Sequence, residues 1–322
     1  LFENIAAIDL GATSIKMIKV RNGLRNFQIR SLSYEDIDAG NPDYRAAAAA
    51  ALKKMLTEDP VNGFTIISNL PMENAIIRNI TFPFSDVKKI AEAIPFEAEE
   101  NVPFRLDELV MDFQTLHSGR PDEGRVLLAA SRKETVNDQV LLFQQSGLIP
   151  AHLGLEANSL FSCYSYFNRV SEENIIQVDI GYSKSIINII IKGRLQYTRS
   201  CSASLKGIIT SMAALLKIPA GQALRVFHEL NIDMTALDNN LQRDYYKKLD
   251  IKKNQMKSIY SIASGVLDDL TEQITLTMGA YRVENPETQF SRVLISGGGS
   301  SIAGLAARLS REMDLPVVPT PF

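Results

Sequence analysis

The sequence predicts an α/β chain of two related domains with a ligand cleft between them, and three stretches carry that expectation. Residues 5–23, IAAIDLGATSIKMIKVRNG, read as a strand ending near Asp9, a small-residue turn, and an alternating strand through Lys16, Ile18 and Val20: a β-hairpin. Residues 175–193, IIQVDIGYSKSIINIIIKG, repeat it at a constant offset of 170, which aligns Asp179 with Asp9, Gly181 with Gly11 and Gly193 with Gly23. A repeat at about half the length of a 322-residue chain argues for a duplicated domain rather than a solenoid of short units. Residues 293–305, VLISGGGSSIAGL, carry a buried strand through three glycines into a helix.

The turns have a chemistry suited to phosphate. Gly11 and Ala12 let backbone N–H groups approach a ligand, Thr13 and Ser14 add hydroxyls, and Lys16 adds a positive charge. In the second turn Gly181 and Ser183 repeat the small residue and the hydroxyl. Asp9 and Asp179, at strand ends, suit a Mg²⁺ held through water, because that ion keeps much of its hydration shell and takes few carboxylates. Two such hairpins would close on a nucleotide between them. Gly297, Gly298, Gly299 and Ser300 would let a purine or ribose lie against bare backbone beside a partly positive helix N-terminus. This stretch is not a P-loop, since no Gly-Lys-Ser/Thr follows, and it lacks the GxGxxG order. Each Asp-x-Gly hairpin alone reads as an ordinary turn. Two in equal register, with a glycine turn besides, are hard to obtain independently.

Composition narrows the function. A formal net charge of −3 with interspersed Lys and Glu gives no basic footprint for nucleic acid. Two cysteines, Cys163 and Cys201, form no disulfide framework and point to a reducing compartment. The three histidines, His117, His152 and His228, show no metal-ligand spacing and read as packing or surface residues. No apolar run approaches the ~20 residues of a membrane span. The chain opens with neither a signal peptide nor a Met, which points to processing or a fragment of a cytoplasmic, soluble protein.

In order, residues 26–33 supply a third strand, 34–42 an acidic turn-rich connection, and 45–56 an alanine-rich helix. Strands follow at 64–70 and 76–82, then a helix over 86–94 with Ser85 as N-cap, which Pro95 should kink or split. Strands at 109–117 and 126–131, a helix over 134–146 stopped by Gly147, a short strand at 152–156 and a helix over 158–167 complete the first half. The second half repeats the hairpin, adds a strand at 195–200, helices over 204–217, 221–230 and 237–282 (broken near Asp250), a strand at 292–296, a helix over 302–313 and a last short strand at Val317. Strands therefore open each half and helices follow, which places one domain over 1–168, with an insertion at about 64–146, and a second over 169–322, with a helical subdomain at about 203–285.

The pattern resembles the actin, Hsp70 and sugar-kinase superfamily, and within it the PilM family of actin-like type IV pilus assembly proteins. AIDLGATSIKMIKV, AEAIPFEAEENVPFRLDELVMDFQTL (91–116), GLEANSL, QVDIGYSKSIINIIIKG and RVLISGGGSSIAGLAARL carry the resemblance, and 91–116 is the most specific of them. The cytoplasmic domain of the type II secretion protein GspL, cut before a membrane helix, is the related alternative. The resemblance implies an actin-like fold and ATP or ADP with Mg²⁺, with Asp9 and Asp179 facing the metal. It further implies that Gly11, Ala12, Thr13, Ser14 and Lys16 hold the β- and γ-phosphates, and that Gly297, Gly298, Gly299 and Ser300 support the adenosine. It implies binding of the cytoplasmic tail of a PilN-like inner-membrane protein, with a motor ATPase as a further partner, at the cytoplasmic side of the inner membrane. Bulky Tyr182 and Lys184, the loss of paired glycines near Ser202-Ala203, and Leu224 and Phe227 where the family carries Glu and Lys all imply a weakened nucleotide pocket.

Three functions compete: a nucleotide-responsive scaffold, an active ATPase or small-molecule kinase, and an adaptor with a dead pocket. Phosphoryl transfer needs a residue that orients the nucleophile, for which the sequence offers only Glu156 and Asp112, both more readily read as surface acids. The partner tail is expected on the inserted segment, which carries Phe96 and Phe104, each by itself expected in the core.

Overall fold

The computed structural model describes residues 3–23, 26–38, 43–168, 172–232 and 251–320. The chain divides into two compact units, Leu1–Ser162 and Cys163–Phe322.

The first unit holds a five-stranded sheet in the order β3-β2-β1-β4-β8. Its strands are β1 (Glu3–Leu10), β2 (Ser14–Asn22), β3 (Phe27–Asp36), β4 (Thr65–Leu70) and β8 (His152–Leu155). β1, β2 and β3 run antiparallel, while β4 and β8 join parallel to β1. Alternate side chains Ala6, Ile8, Ile15 and Met17 point to one face, as a period of two requires, and pack with Ala48 and Leu52 of α1 (Tyr44–Glu58) and Phe143 of α3 (Lys133–Gln145). Asp43 caps α1 by accepting from Arg45 N and Ala46 N.

A second sheet, β5-β7-β6, comes from β5 (Ile76–Phe82), β6 (Leu109–Leu116) and β7 (Gly124–Arg132), all antiparallel. Helix α2 (Val87–Asn101) covers it through Ile90, Ile94 and Ala98, which meet Ile80, Phe82, Val126 and Leu128. Pro95 neither ends nor splits this helix. The three apolar residues, spaced four apart, bury one stripe on both sides of the proline, and that burial outweighs the hydrogen bond the proline cannot make. The cap is Asp86, accepting from Lys88 N and Lys89 N, while Ser85 Oγ donates instead to Pro121 O. β3 also runs on to Asp36, through the segment expected to be turn-rich.

The second unit repeats the first sheet's plan: β11-β10-β9-β12-β13, three antiparallel strands and then two parallel ones. The strands are β9 (Asn174–Ile180), β10 (Ser185–Ile191), β11 (Arg194–Cys201), β12 (Arg292–Ser296) and β13 (Val317–Pro319). Helix α4 (Glu156–Phe167) spans the sequence boundary between the units. The helices of the second unit are α5 (Leu205–Leu216), α6 (Ala220–Glu229), α7 (Lys253–Glu284) and α8 (Leu305–Met313). Ile259, Ala263, Leu267, Leu270, Ile274 and Met278 form the buried stripe of α7 at helical spacing. The helix expected from residue 237 lies, before 251, outside the described residues. Among the described residues no single helix is long and apolar enough to cross a membrane. α5 and α6 approach that only as a pair bent by 105°, with Ile208, Ile209, Met212 and Phe227 buried in the unit's core.

Candidate functional site

In the first unit, hairpin register gathers the predicted turn residues. Leu10 pairs with Ile15 and Asp9 with Lys16, so the turn between them is short. Gly11 N donates to Ser14 O at 3.0 Å, and a Cβ on Gly11 would sit 2.9 Å from that oxygen, closer than real Cβ atoms come. The N–H of Gly11 is therefore spent inside the turn, whereas the sequence reading had it approaching a phosphate. Among the described residues no hydrogen bond engages the N–H groups of Ala12 or Thr13, which remain as donors. Ser14 is buried and its hydroxyl is turned to Tyr34, so it supports the turn instead of facing a ligand.

Lys16 Nζ reaches Asp9 Oδ2 at 3.2 Å in an exposed ion pair. Tyr44, the first residue of α1, donates its hydroxyl to Gly11 O at 3.0 Å and so pins the turn to the helix. Desolvation, together with the charges of Asp9, Glu73 and Glu156, pushes the Tyr44 phenol up to about 12, so it stays a donor at all ordinary pH. A recess of ≈ 450 Å³ opens on the sheet face carrying Asp9 and Lys16, lined also by Ile18, Leu32, Tyr34 and Ser68.

The second unit brings together Asp179, Gly181, Ser183 and the glycine stretch. Gly181 N donates to Lys184 O at 3.0 Å, and a Cβ there would meet that oxygen at 2.6 Å. Asp179 pairs with Ile186 across the hairpin and with Ser296 across the parallel ladder to β12. Ser296 Oγ donates to Asp179 Oδ1 at 2.9 Å. Ser183 is exposed, and Tyr182 packs against the core, where burial raises its phenol pKa.

Gly298–Ser301 form a 3₁₀ turn, and α8 begins only at Leu305 after the left-handed Gly304. The helix N-terminus is thus not directly against the three glycines as expected. Their role also differs from the sequence expectation. A Cβ on Gly297 would sit 2.6 Å from Ile180 O, and one on Gly299 would sit 2.4 Å from Ile180 Cγ2, so both glycines are required by close packing on β9. At Gly298 a Cβ would meet nothing within 4 Å, which leaves it as the open member of the run.

Leu224 packs against the core and Phe227 is fully buried in it. The neighbour that sequence reasoning left as a packing or surface residue is His228: its Nδ1 lies 3.1 Å from Ser301 Oγ. Of the two acids considered for catalysis, Glu156 accepts from Met72 N at 2.8 Å and Asp112 from Phe113 N at 2.8 Å, both in structural bonds. Among the described residues no three His, Cys, Asp or Glu side chains cluster to hold a metal directly.

A second feature belongs to the first unit alone. A groove of ≈ 270 Å³ runs between β6 and β8, each an edge strand of its sheet, and is lined by Val110, Met111, Phe113, Leu127, Leu153 and Leu155. The Oδ1 of Asn158, at its side, is buried and carries no hydrogen bond among the described residues. Nearby in sequence, Phe96 is 72% exposed and Phe104 is 38% exposed, against the expectation that both pack inside. The helical stripe of α2 takes Ile94 and Ala98 inward and leaves Phe96 on the opposite face.

A family model described as type IV pilus assembly protein PilM matches residues 7–209. Among solved structures, the chain is similar to a PilM–PilN type IV pilus biogenesis complex, with TM-score 0.77 at 21% identity, over 98% of this chain and 88% of that one. It is similar to the ethanolamine utilization protein EutJ from Carboxydothermus hydrogenoformans, with TM-score 0.53 at 13% identity, over 98% and 84% of the two chains. It is also similar to MreB 5 of Spiroplasma citri bound to AMPPNP, with TM-score 0.50 at 11% identity, over 98% and 91%. The duplicated sheets thus have the actin-like fold.

Proposed function

The chain belongs to the type IV pilus assembly protein PilM family, and from that premise we propose that it is a cytoplasmic scaffold at the inner membrane. It binds ATP or ADP and the tail of a PilN-like membrane protein, and it carries out little chemistry. The observation that carries the nucleotide part is the repeated turn: two Asp-x-Gly hairpins with the same register and the same internal bond, the second joined to a glycine run. Ala12, Thr13 and Lys16 would hold phosphates, Asp9 and Asp179 would hold Mg²⁺ through water, and the Gly297–Ser300 segment would support the adenosine. The donor set fits that ion, since Mg²⁺ needs few protein carboxylates when a nucleotide and water complete its shell. Glu156 and the mid-strand Asp112 each accept a backbone N–H, which favours a scaffold over an ATPase or kinase. Membership in this family favours pilus assembly over the secretion reading.

The groove between β6 and β8 supports the partner part. An extended peptide can add to either strand edge, place apolar side chains against Val110, Met111 and Leu153, and offer an N–H to Asn158 Oδ1. A motor ATPase is proposed as a further partner of the same assembly.

Titration calorimetry with ADP·Mg²⁺ and ATP·Mg²⁺, and with a synthetic tail peptide, tests both parts. Asp9→Ala should abolish nucleotide binding and Val110→Asp should abolish peptide binding, each without unfolding the chain. Peptide affinity unchanged by Val110→Asp would move the partner site elsewhere. Turnover on the order of ten per second would replace the scaffold with an enzyme.

A further inference from the structure

We propose that His228 and Ser301 form the base-reading edge of the glycine turn, and that His228 selects adenine over guanine through an unprotonated Nε2. The inference rests on the nucleotide reading above and deepens it.

One proton decides the tautomer. Ser301 Oγ lies 2.9 Å from Gly298 O and 3.1 Å from His228 Nδ1. A carbonyl oxygen can only accept, so the single hydroxyl proton belongs in the bond to Gly298. The Ser301 oxygen then faces His228 Nδ1 with a lone pair, and Nδ1 must carry the ring proton. Nε2 is left as an acceptor. Burial lowers the His228 pKa below its ordinary value, which keeps the ring neutral at pH 7.

Placement makes the tautomer relevant. The end of α6 is fastened to the segment after the glycines: Asn231 bridges Ala303, and Ile232 N donates to Ala303 O at 2.9 Å. The imidazole is thereby held against Ser301, whose hydroxyl in turn bonds Gly298, the one glycine of the three whose Cβ position is open. A purine laid on this turn has its free room at Gly298, within reach of the ring. At the equivalent edge, adenine offers an amino N–H and guanine offers a carbonyl oxygen. An Nε2 lone pair accepts from the first and repels the second, and a site that leaves a polar group unmatched discriminates strongly.

The test uses the full chain with ADP and GDP, each with Mg²⁺. Wild type should prefer ADP by roughly tenfold, the worth of one hydrogen bond. His228→Leu should bring the two affinities together, His228→Lys, a donor only, should favour GDP, and Ser301→Ala should reduce the preference by releasing the tautomer. In ¹⁵N-histidine-labelled protein without nucleotide, His228 should show a protonated Nδ1 and a bare Nε2. That measurement stands even where a variant fails to fold. A protonated Nε2, equal ADP and GDP affinity in wild type, or an unchanged ratio in His228→Leu overturns this inference and leaves the nucleotide reading intact. Failure of wild type to bind either nucleotide overturns the nucleotide reading and the inference with it.

Discussion

The two hairpin turns have the same backbone and different chemistry. In each, a glycine N–H donates at 3.0 Å to the carbonyl three residues on, and the flanking aspartate faces the residue seven positions later. In the first turn that residue is Lys16, exposed and ion-paired with Asp9. In the second it is Ile186, buried in the sheet, and Asp179 takes its bond from Ser296 on the neighbouring parallel strand. Duplication preserved what turn length and register fix. Side chains at matched positions were free to part, one set toward charge at a surface and the other toward the glycine segment. The first turn presents a charged pair at the surface, and the second holds the strand that leads into the Gly297 loop.

Exchanging the matched residues breaks this comparison most severely on the buried side. Ile186→Lys places an ammonium in a site 3% exposed, opposite Asp179, whose carboxylate Ser296 already engages; the desolvation of the buried charge outweighs the new pair and should cost about 4 kcal/mol, read as loss of the unfolding transition of the second unit in calorimetry. Next come the turn glycines. Gly181→Ala forces a Cβ to 2.6 Å from Lys184 O, and Gly11→Ala forces one to 2.9 Å from Ser14 O. Each should lose roughly 1–3 kcal/mol in urea unfolding, Gly181 the more. Equal losses would mean that the two turns relax differently from their static contacts.

Tyr44→Phe removes one hydrogen bond to Gly11 O and should cost about 1 kcal/mol. Its pH signature has a definite sign. The folded-state phenol pKa is raised from 10.0 to about 12, so its contribution is full below pH 10 and is lost as pH rises toward 12. Tyr44→Phe should flatten that alkaline part of the stability curve, and an unchanged slope would remove Tyr44 from the turn's support. The smallest stability effect belongs to Lys16→Ile, the counterpart of the first exchange. An exposed pair is worth about 0–1 kcal/mol, so melting should barely move while ADP affinity falls. A large loss of stability there would show that the first turn is structural like the second.

Much of the fold was legible because its signals are local. The constant offset from Asp9 to Asp179 and from Gly11 to Gly181 predicted two equal hairpins, and both have the same register, since period-two patterning and a short turn leave little freedom. The reading of the candidate site was less complete. The sequence showed hydroxyls and glycines but not which way they face: Ser14 turns inward, Gly11 spends its N–H, and two glycines of the late run serve packing on Ile180. A separation of 73 positions from His228 to Ser301 hid a contact that no spacing rule reaches.

By itself the sequence determined the doubled α/β plan, the positions of the turns and the family resemblance that accompanies them. The plan and the turns follow from side-chain periodicity and backbone sterics within a few residues, and the resemblance rests on the identity of the residues in its motifs. Tertiary structure alone decided that α2 continues through Pro95, that Phe96 lies outside and that the groove between β6 and β8 exists. It alone placed an imidazole against Ser301, whose hydroxyl bonds Gly298. These outcomes depend on which distant surfaces meet. A buried stripe can override a helix breaker, and a neighbour far along the chain fixes where a polar atom finds its partner.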